Sequence, residues 1–474
     1  MSSKARVGVL TFSDGREFVH NQLIEMNMGF QERLRKRLEA DGYEVVAGEE
    51  IVWNNEVAKR EGTRLTQECC DVTIFNFAVW AFPHLPAIAS RFVPQPILLF
   101  SNVNPQYPGL VGMLAAAGAL NQIGVKYYRT WGEIEDDEVY KRVKTFVAAG
   151  AAVKRIKGET YGLFGGRPMG MYTAVSNTDQ WMKQFGIDIE HIDQWEIVRL
   201  ADEVPQSKVD KAIRWLERWG NVHYDGKQLT RETLGRQVRS YYAVRRLIDE
   251  WRLDFCGIKA QPELTNNFCT MDVTEAFLND PYDWDGPKDI IVCATEADTD
   301  AALTMEIMKH LSGTPALFAD VRHYHEDLGI FDLVNSGEHA TYFAGRSFDP
   351  ADNMPHVHFM PESELYFPAG GASVHHLTAP GEATFARLTR LDGRYWMAII
   401  RGEFLRFDEE KNQALMKQTT YEWPHAFAKF RCTGEEFLST YASNHIHAIY
   451  GDWVDELVMV CDLLGIEAKV FGRD

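Results

Sequence analysis

The sequence predicts an α/β protein that finishes in a mainly β domain, and three observations predict it. Apolar runs of strand length alternate with amphipathic helical stretches over roughly the first two thirds of the chain. Gly, Pro and Asp-Gly punctuate those runs, and after Asp320 the helical stretches give way to shorter β-like segments. At 474 residues the chain is too long for one small core, and a prior of roughly 150 residues per domain implies about three domains.

The composition narrows the function classes. A net charge of −19 disfavours nucleic acid and anionic membrane as partners, because both need clustered Lys and Arg. Seven cysteines, an odd number without framework spacing, fit a reducing compartment. MSSKARVGVLTF runs directly into a strand with no signal-peptide pattern, and no apolar run is long enough to span a bilayer. The expectation is a cytoplasmic enzyme acting on a small molecule.

Taken in order, Arg6 to Phe12 reads as the first strand, followed by the turn Ser13-Asp14-Gly15-Arg16 and a helix ending near Gly42. Strand-like runs recur at Glu44–Val46, Val72–Phe77 and Ile97–Phe100 with helices between them, the pattern of a doubly wound parallel sheet. Arg16 and Trp80 both sit in turns after strands, where each reads either as a ligand contact or as an ordinary surface and packing residue. The polar break Lys154–Glu159 ends the first domain, and Thr160–Phe164 starts a new strand leading into GGRPMG. That loop is neither a dinucleotide nor a Walker fingerprint, so no nucleotide is assigned to it.

The stretch from Asp289 to Asp320 reads as strand, helix, strand, with Glu296 after the first strand and Asp320 after the second. In one parallel sheet both acids emerge at the carboxyl edge, where α/β proteins place their sites. Two carboxylates in one apolar cleft need a proton or a cation between them, so the pair reads as a metal or acid/base site. The plainer alternative is that Glu296 caps the helix and Asp320 is a loop acid. Phe255–Lys259 leads to the turn Gln261-Pro262-Glu263 at the same predicted edge. Beyond Asn335-Ser336-Gly337 the chain carries β segments such as Ala383–Leu391 and Tyr395–Glu403, then a helix from Asp452 to Leu464. Histidines pair late, as His356 and His358, His375 and His376, and His445 and His447. An H-x-H on a strand puts both rings on one face.

At this point the residues resemble the L-fucose isomerase family, related to the arabinose isomerases. GIKAQPELTNNFCTMDVTEAFLNDPYDWDG, ATEAD, FADVR and LVNSGEHA carry the likeness most strongly. SDGR, the Trp80 loop, GGRPMG, ELYFPAGG, YEWP and ASNH extend it over nearly the whole chain. The resemblance implies two N-terminal α/β domains, 1–157 and 158–311, and a C-terminal domain, 312–474, that contains a β-barrel. It then brings the two acids together across a domain cleft rather than within one sheet. It further implies that Glu296, Asp320 and His445 hold one divalent cation, typically Mn²⁺, and that both carboxylates act as acid/base groups in aldose–ketose isomerisation. Arg16, Met169, Gln261, Ser336, Tyr366 and Trp423 match sugar-pocket positions. Trp80 matches a tryptophan that reaches the site of a neighbouring subunit, implying a homo-oligomer, usually a hexamer. Arg167 departs from the small or apolar residues expected beside Met169. A planar guanidinium there suits a sugar ending in sulfonate or phosphate, such as 6-deoxy-6-sulfoglucose, with a neutral aldose as the default. The alternatives are a non-catalytic sugar-binding protein on the same scaffold, or a metal-dependent epimerase or aldolase.

Overall fold

The structure, a computed structural model, describes residues 5–336 and 339–472. The chain divides into two compact units, with the division between Arg155 and Ile156. Among the described residues no helix is long and apolar enough to cross a membrane.

The first unit is built on five strands, β1 (Arg6–Phe12), β2 (Glu44–Ala47), β3 (Val72–Phe77), β4 (Ile97–Ser101) and β5 (Tyr128–Trp131). They form one parallel sheet in the order β2-β1-β3-β4-β5. Helices cover both faces, which is why β3 is buried at every position and reads as an unbroken apolar run. Alternate residues feed opposite cores: Val7, Val9 and Ile74 pack on one side, and Leu10, Phe12 and Phe75 on the other. The strand order reverses between the neighbours β1 and β3, the switch point where such sheets bind ligands. The Arg16 turn follows β1 and the Trp80 loop follows β3, so both leave the sheet at that point.

The second unit starts with β6 (Thr160–Phe164), β7 (Asp188–Ile192), β9 (Phe255–Ile258) and β12 (Cys293–Thr295), a parallel sheet in the order β12-β9-β6-β7. Two small sheets join it. One is the pair β10 (Tyr282–Asp283) and β11 (Gly286–Pro287); the other combines β8 (Asn221–Val222), β15 (His358–Pro361) and β16 (Ala372–His375).

The chain then builds a barrel from β13 (Leu317–His325), β14 (Ile330–Val334), β17 (Gly381–Leu391), β18 (Arg394–Leu405), β19 (His425–Phe430) and β20 (His445–Tyr450). The ring runs β17-β20-β13-β14-β19-β18 and closes on β17, with every neighbouring pair antiparallel. Closure leaves no open edge along the ring. A last strand, β21 (Glu467–Phe471), adds in parallel to the first half of β18.

The expectation that Asp289–Ala294 and Ala316–Ala319 are successive strands of one parallel sheet is corrected. Only Cys293–Thr295 joins the parallel sheet, beside β9, while Leu317 opens a barrel strand paired antiparallel with β14 and β20. The reason lies in the helix between them, Thr299–Ser312, which is buried at every position from Thr299 to Met308. A crossover helix on one sheet buries one stripe; this helix is buried all round, Asp300, Thr304 and Glu306 included, and so needs cover on every side. This helix packs against β9 and β12 of the parallel sheet and against β17 and β20 of the barrel.

The helix ends in a buried ionic cluster. His310 Nε2 lies 2.8 Å from Glu159 Oε1 and 3.1 Å from Glu306 Oε1, and Lys309 pairs with Glu306. The ligand atoms of Glu159, Glu306 and His310 are close enough to hold a cation, yet Lys309 and His310 already bring positive charge to both acids. Burial works against charging His310, but its bonds to Glu159 and Glu306 prevail and raise it to about 9. Burial, reinforced by Glu306, pushes Glu159 up to about 7.

A group raised in the folded state contributes its full stabilisation below its unfolded value and loses it as pH rises through the folded one. His310→Gln is therefore expected to cost about 2 kcal/mol near pH 6, with the gap from wild type closing between pH 6.5 and about 9. Denaturant titrations across that range check this; a gap that stays constant or widens with pH contradicts it.

Candidate functional site

The site begins at the end of β12, where two successive non-glycine residues, Glu296 and Ala297, take left-handed φ values of 55° and 48°. Each such residue costs on the order of 1 kcal/mol or more and persists only where its surroundings hold it. Here the Ala297 amide donates to Ile258 O at 2.9 Å. Gly257 leaves the room, since a Cβ on it would stand 3.1 Å from Ala297 Cα. Asp298 then caps the central helix, its Oδ1 accepting from the Ala301 amide at 3.0 Å. Capping thus falls to Asp298, not to Glu296.

The other two members come from the barrel. Asp320 on β13 and His445 on β20 are directly opposite in register, so the two-residue strand period puts both side chains on one face. Leu317 and Ala319 on β13, with Ile446 and Ala448 on β20, fill the barrel core. Asp320, His445 and His447 therefore face outward, the side on which the central helix lies. His445 Nε2 is 3.1 Å from Glu296 Oε2 and 3.5 Å from Asp320 Oδ1. Its Nδ1 donates to Asp298 Oδ2 at 2.6 Å. Asp320 accepts from Asn335 Nδ2 and Asn444 Nδ2, each at 3.2 Å.

The electrostatics follow from this crowding. Burial alone would lower His445, but Asp298, Glu296 and Asp320 raise it to about 10. Burial, with Glu296 adding to it, raises Asp320 against the pull of His445. Asp298 is fully buried yet held well below the usual carboxylate range, because Arg387 and His445 outweigh its desolvation.

Glu296 Oε2 and His445 Nε2 are both buried and stand 3.1 Å apart as an ion pair, with no further hydrogen bond to either atom. An imidazole fixed through Nδ1 to a carboxylate, with Nε2 directed at further carboxylates, is a common metal-ligand arrangement. Two carboxylates and one imidazole suit Mn²⁺ or a similar divalent ion. The donor set fits a cation.

The remaining residues singled out in the sequence fall at different distances from this centre. Gln261 and Ser336 line one small cavity with Glu296, Thr295 and Phe367. Trp423 stands beside that wall: its ring is 6.2 Å from Phe367 and its Nε1 donates to Glu362 Oε2 at 3.0 Å. Tyr366 is exposed. Met169 is also exposed, with a left-handed φ of 40°. The Arg167 guanidinium lies over the Tyr172 ring at 5.1 Å, and the nearby-in-sequence acid Glu159 pairs instead with His310. Arg16 and Trp80 belong to the first unit. Arg16 forms a two-bond fork with Asp14 at 2.9 and 2.6 Å and is largely exposed; Trp80 is half-buried, its ring 6.4 Å from that of Phe82.

Several groups escaped the sequence reading. Asp272 and Glu275 line the same cavity as Gln261, and Glu362 bonds Trp423. All three are buried, and burial pushes each of them up, Glu275 to about 8. Asp272 and Glu275 stand three apart in an otherwise apolar helical stretch, MDVTEAF, and that spacing was the available signal. Arg387, in the strand-like ATFARLTRL, gave none.

A doubly wound α/β unit, a parallel sheet, an attached barrel, and an acid–acid–imidazole centre between the last two define a sugar-isomerase type of enzyme. Family models for the first N-terminal, second N-terminal and C-terminal domains of L-fucose isomerase match residues 4–158, 254–313 and 333–471. The chain is 23% identical to an L-fucose isomerase of Haemophilus influenzae, over 98% of this chain and 92% of that one. It is 24% identical to those of Escherichia coli strain SE11, over 94% and 89%, and of Klebsiella pneumoniae, over 95% and 88%. The chain belongs to the L-fucose isomerase family, and its enzyme class is that of the aldose–ketose isomerases.

Glu296→Gln and Asp320→Asn are each expected to lower turnover by at least roughly 10³-fold, since each removes a charge and a proton-accepting oxygen at nearly constant volume. The melting temperature should change by only a few degrees, because one of two crowded acids is relieved. Steady-state kinetics and thermal melts on the same preparations measure both; wild-type turnover in either variant assigns that residue a purely structural role.

Proposed function

We propose that this protein is a divalent-metal-dependent isomerase that interconverts an open-chain aldose and its ketose through an enediolate. The observation that carries this reading is the convergence of Glu296, Asp320 and His445 from two different sheets, with His445 Nε2 directed at both carboxylates. A bound Mn²⁺ would neutralise the negative charge that develops on the adjacent sugar oxygens O1 and O2.

Glu296, Asp320 and His445 would hold the ion. One carboxylate removes the proton from C2 and returns it at C1, a step worth roughly 10²- to 10⁴-fold when well placed; the other serves the oxygen proton. Gln261 and Ser336 would hydrogen-bond sugar hydroxyls and orient the chain. Trp423, held through Nε1 by Glu362, and Tyr366 would cover the apolar face of the carbon chain. Arg16 and Trp80, at the switch point of the first unit, are read as sugar-contact residues, Trp80 toward a neighbouring copy. We read the assembly as a cytoplasmic homohexamer of chains with domains 1–157, 158–311 and 312–474. A non-catalytic binder needs no paired acid and base around a cation, and an epimerase or aldolase would share the enolate step but differ in its product.

A neutral aldose such as L-fucose or D-arabinose is the first substrate reading. A second, a hexose ending in sulfonate such as 6-deoxy-6-sulfoglucose, rests on Arg167. Its guanidinium lies over the Tyr172 ring rather than against a carboxylate, whereas the cavity beside Glu296 is lined by acids. An anionic terminus would therefore have to be met on the Arg167 side.

Chelation is expected to abolish isomerisation and Mn²⁺ to restore it; full activity of metal-free protein would remove the metal from the account. A turnover screen of neutral aldoses against their 6-sulfonate and 6-phosphate counterparts, repeated with Arg167→Ala, tests the substrate. Selective loss of the anionic substrates in the variant supports the second reading. A preference that does not change with the substitution rejects it.

A further inference from the structure

The loop Gly165–Asn177, which carries Arg167 and Met169, is fastened by its carbonyls to β17 and to the start of the central helix. Four successive ones are occupied. Arg390 Nη2 donates to Tyr172 O at 3.2 Å and also to Val175 O. Arg387 Nη2 donates to Thr173 O at 3.0 Å. The Thr299 amide and hydroxyl both donate to Ala174 O, at 3.1 and 3.0 Å. Every donor belongs either to β17 or to the first turn of the central helix, directly after Glu296 and Asp298.

Arg387 is the only one of these donors, among the described residues, that also binds the carboxylate behind His445. Its side chain is 1% exposed, and it grips both oxygens of Asp298, Nη1 to Oδ2 at 2.9 Å and Nη2 to Oδ1 at 3.1 Å. Its Nη1 also donates to His447 Nε2 at 3.3 Å. Asp298 thereby accepts from Arg387 twice, from the Ala301 amide and from His445 Nδ1, which is the full capacity of a carboxylate. No bond in this chain can move without disturbing the next: His445, Asp298, Arg387, Thr173.

We propose that Arg387 is a positioning residue that couples occupancy of the cation site to the order of the Gly165–Asn177 loop, so that the loop is held firmly when the cation is bound. The proposal rests on the cation-site reading above. A cation on His445 Nε2 fixes that ring and strengthens the Nδ1–H bond to Asp298; Asp298 then fixes the guanidinium, which fixes Thr173. By linkage, a loosened loop weakens the cation in return. The fork matters because a lysine ammonium at this position lacks the planar two-sided geometry needed to hold Asp298 and Thr173 together.

The experiment uses Mn²⁺ alone as ligand. Its affinity is measured by EPR titration, and loop order by the rate of chymotryptic nicking after Tyr172, which is 83% exposed. In wild type, Mn²⁺ should slow the nick several-fold. In Arg387→Lys, Mn²⁺ should bind about 10- to 100-fold more weakly, and at saturating Mn²⁺ the nick should stay fast. Lys411→Ala, remote on a surface helix, is the control and should match wild type in both readouts.

Wild-type protein that binds Mn²⁺ but nicks at the same rate with and without it overturns the coupling and leaves the cation site intact. Wild-type protein that binds no Mn²⁺ overturns both. Arg387→Lys with wild-type affinity and Mn²⁺-dependent protection assigns the residue to packing alone. The wild-type arm decides the coupling even if Arg387→Lys fails to fold.

Discussion

The arrangement depends most on one buried carboxylate. Asp298 caps the central helix, receives both arms of Arg387 and orients His445. Leaving any of those donors buried and unpaired would cost about 1–3 kcal/mol or more each, so this acid ties three elements to one geometry. The helix start and the barrel strands β17 and β20 are thereby fixed together. The left-handed turn at Glu296 and Ala297 is the conformational strain accompanying that arrangement, and it turns Glu296 away from the helix toward His445.

The site also shows why two sheets serve better than one. Neighbouring strands of one parallel sheet would release both acids at the same edge, each open to solvent. Here Glu296 arrives from the parallel sheet, while Asp320 and His445 arrive as a cross-strand pair on the outer face of a barrel. The helix Thr299–Ser312, buried all round over its first ten residues, holds the two layers against each other. Enclosure raises the electrostatic stakes, since a developing negative charge beside fixed groups in a low-dielectric cleft is stabilised far more than in water.

Much of this was legible in the residues. Strand-length apolar runs gave the doubly wound first unit, because strands covered on both faces have no polar alternation to confuse the reading. Glu296 and Asp320 stood out as acids closing apolar runs, and His445 as half of an H-x-H. The strand–helix–strand inference failed for a physical reason: a crossover helix and a helix buried between two layers differ in how much of their circumference is buried, and here buried polar residues, Asp300, Thr304 and Glu306, hide that in the sequence. Leu303, Ile307, Met308 and Leu311 alone make a single helical stripe, and Ala301, Ala302 and Met305 are buried as well. Arg387 was illegible because an arginine in an alternating strand reads as the solvent-facing residue. Only the fold reveals that this outward face is covered by the helix bearing Asp298. Asp272, Glu275 and Glu362 were hidden likewise, since a buried acid differs from a surface acid only in its surroundings.

The central claim is proton transfer between C2 and C1 through an enediolate at the Glu296, Asp320 and His445 centre. The direct measurement is NMR of the Mn²⁺-loaded protein converting an accepted aldose in deuterated water. The account predicts a ketose carrying solvent deuterium at C1, because the proton is held on a carboxylate between the two carbons and exchanges there. A ketose formed over many turnovers with no deuterium at C1 would indicate direct hydride migration and contradict the claim.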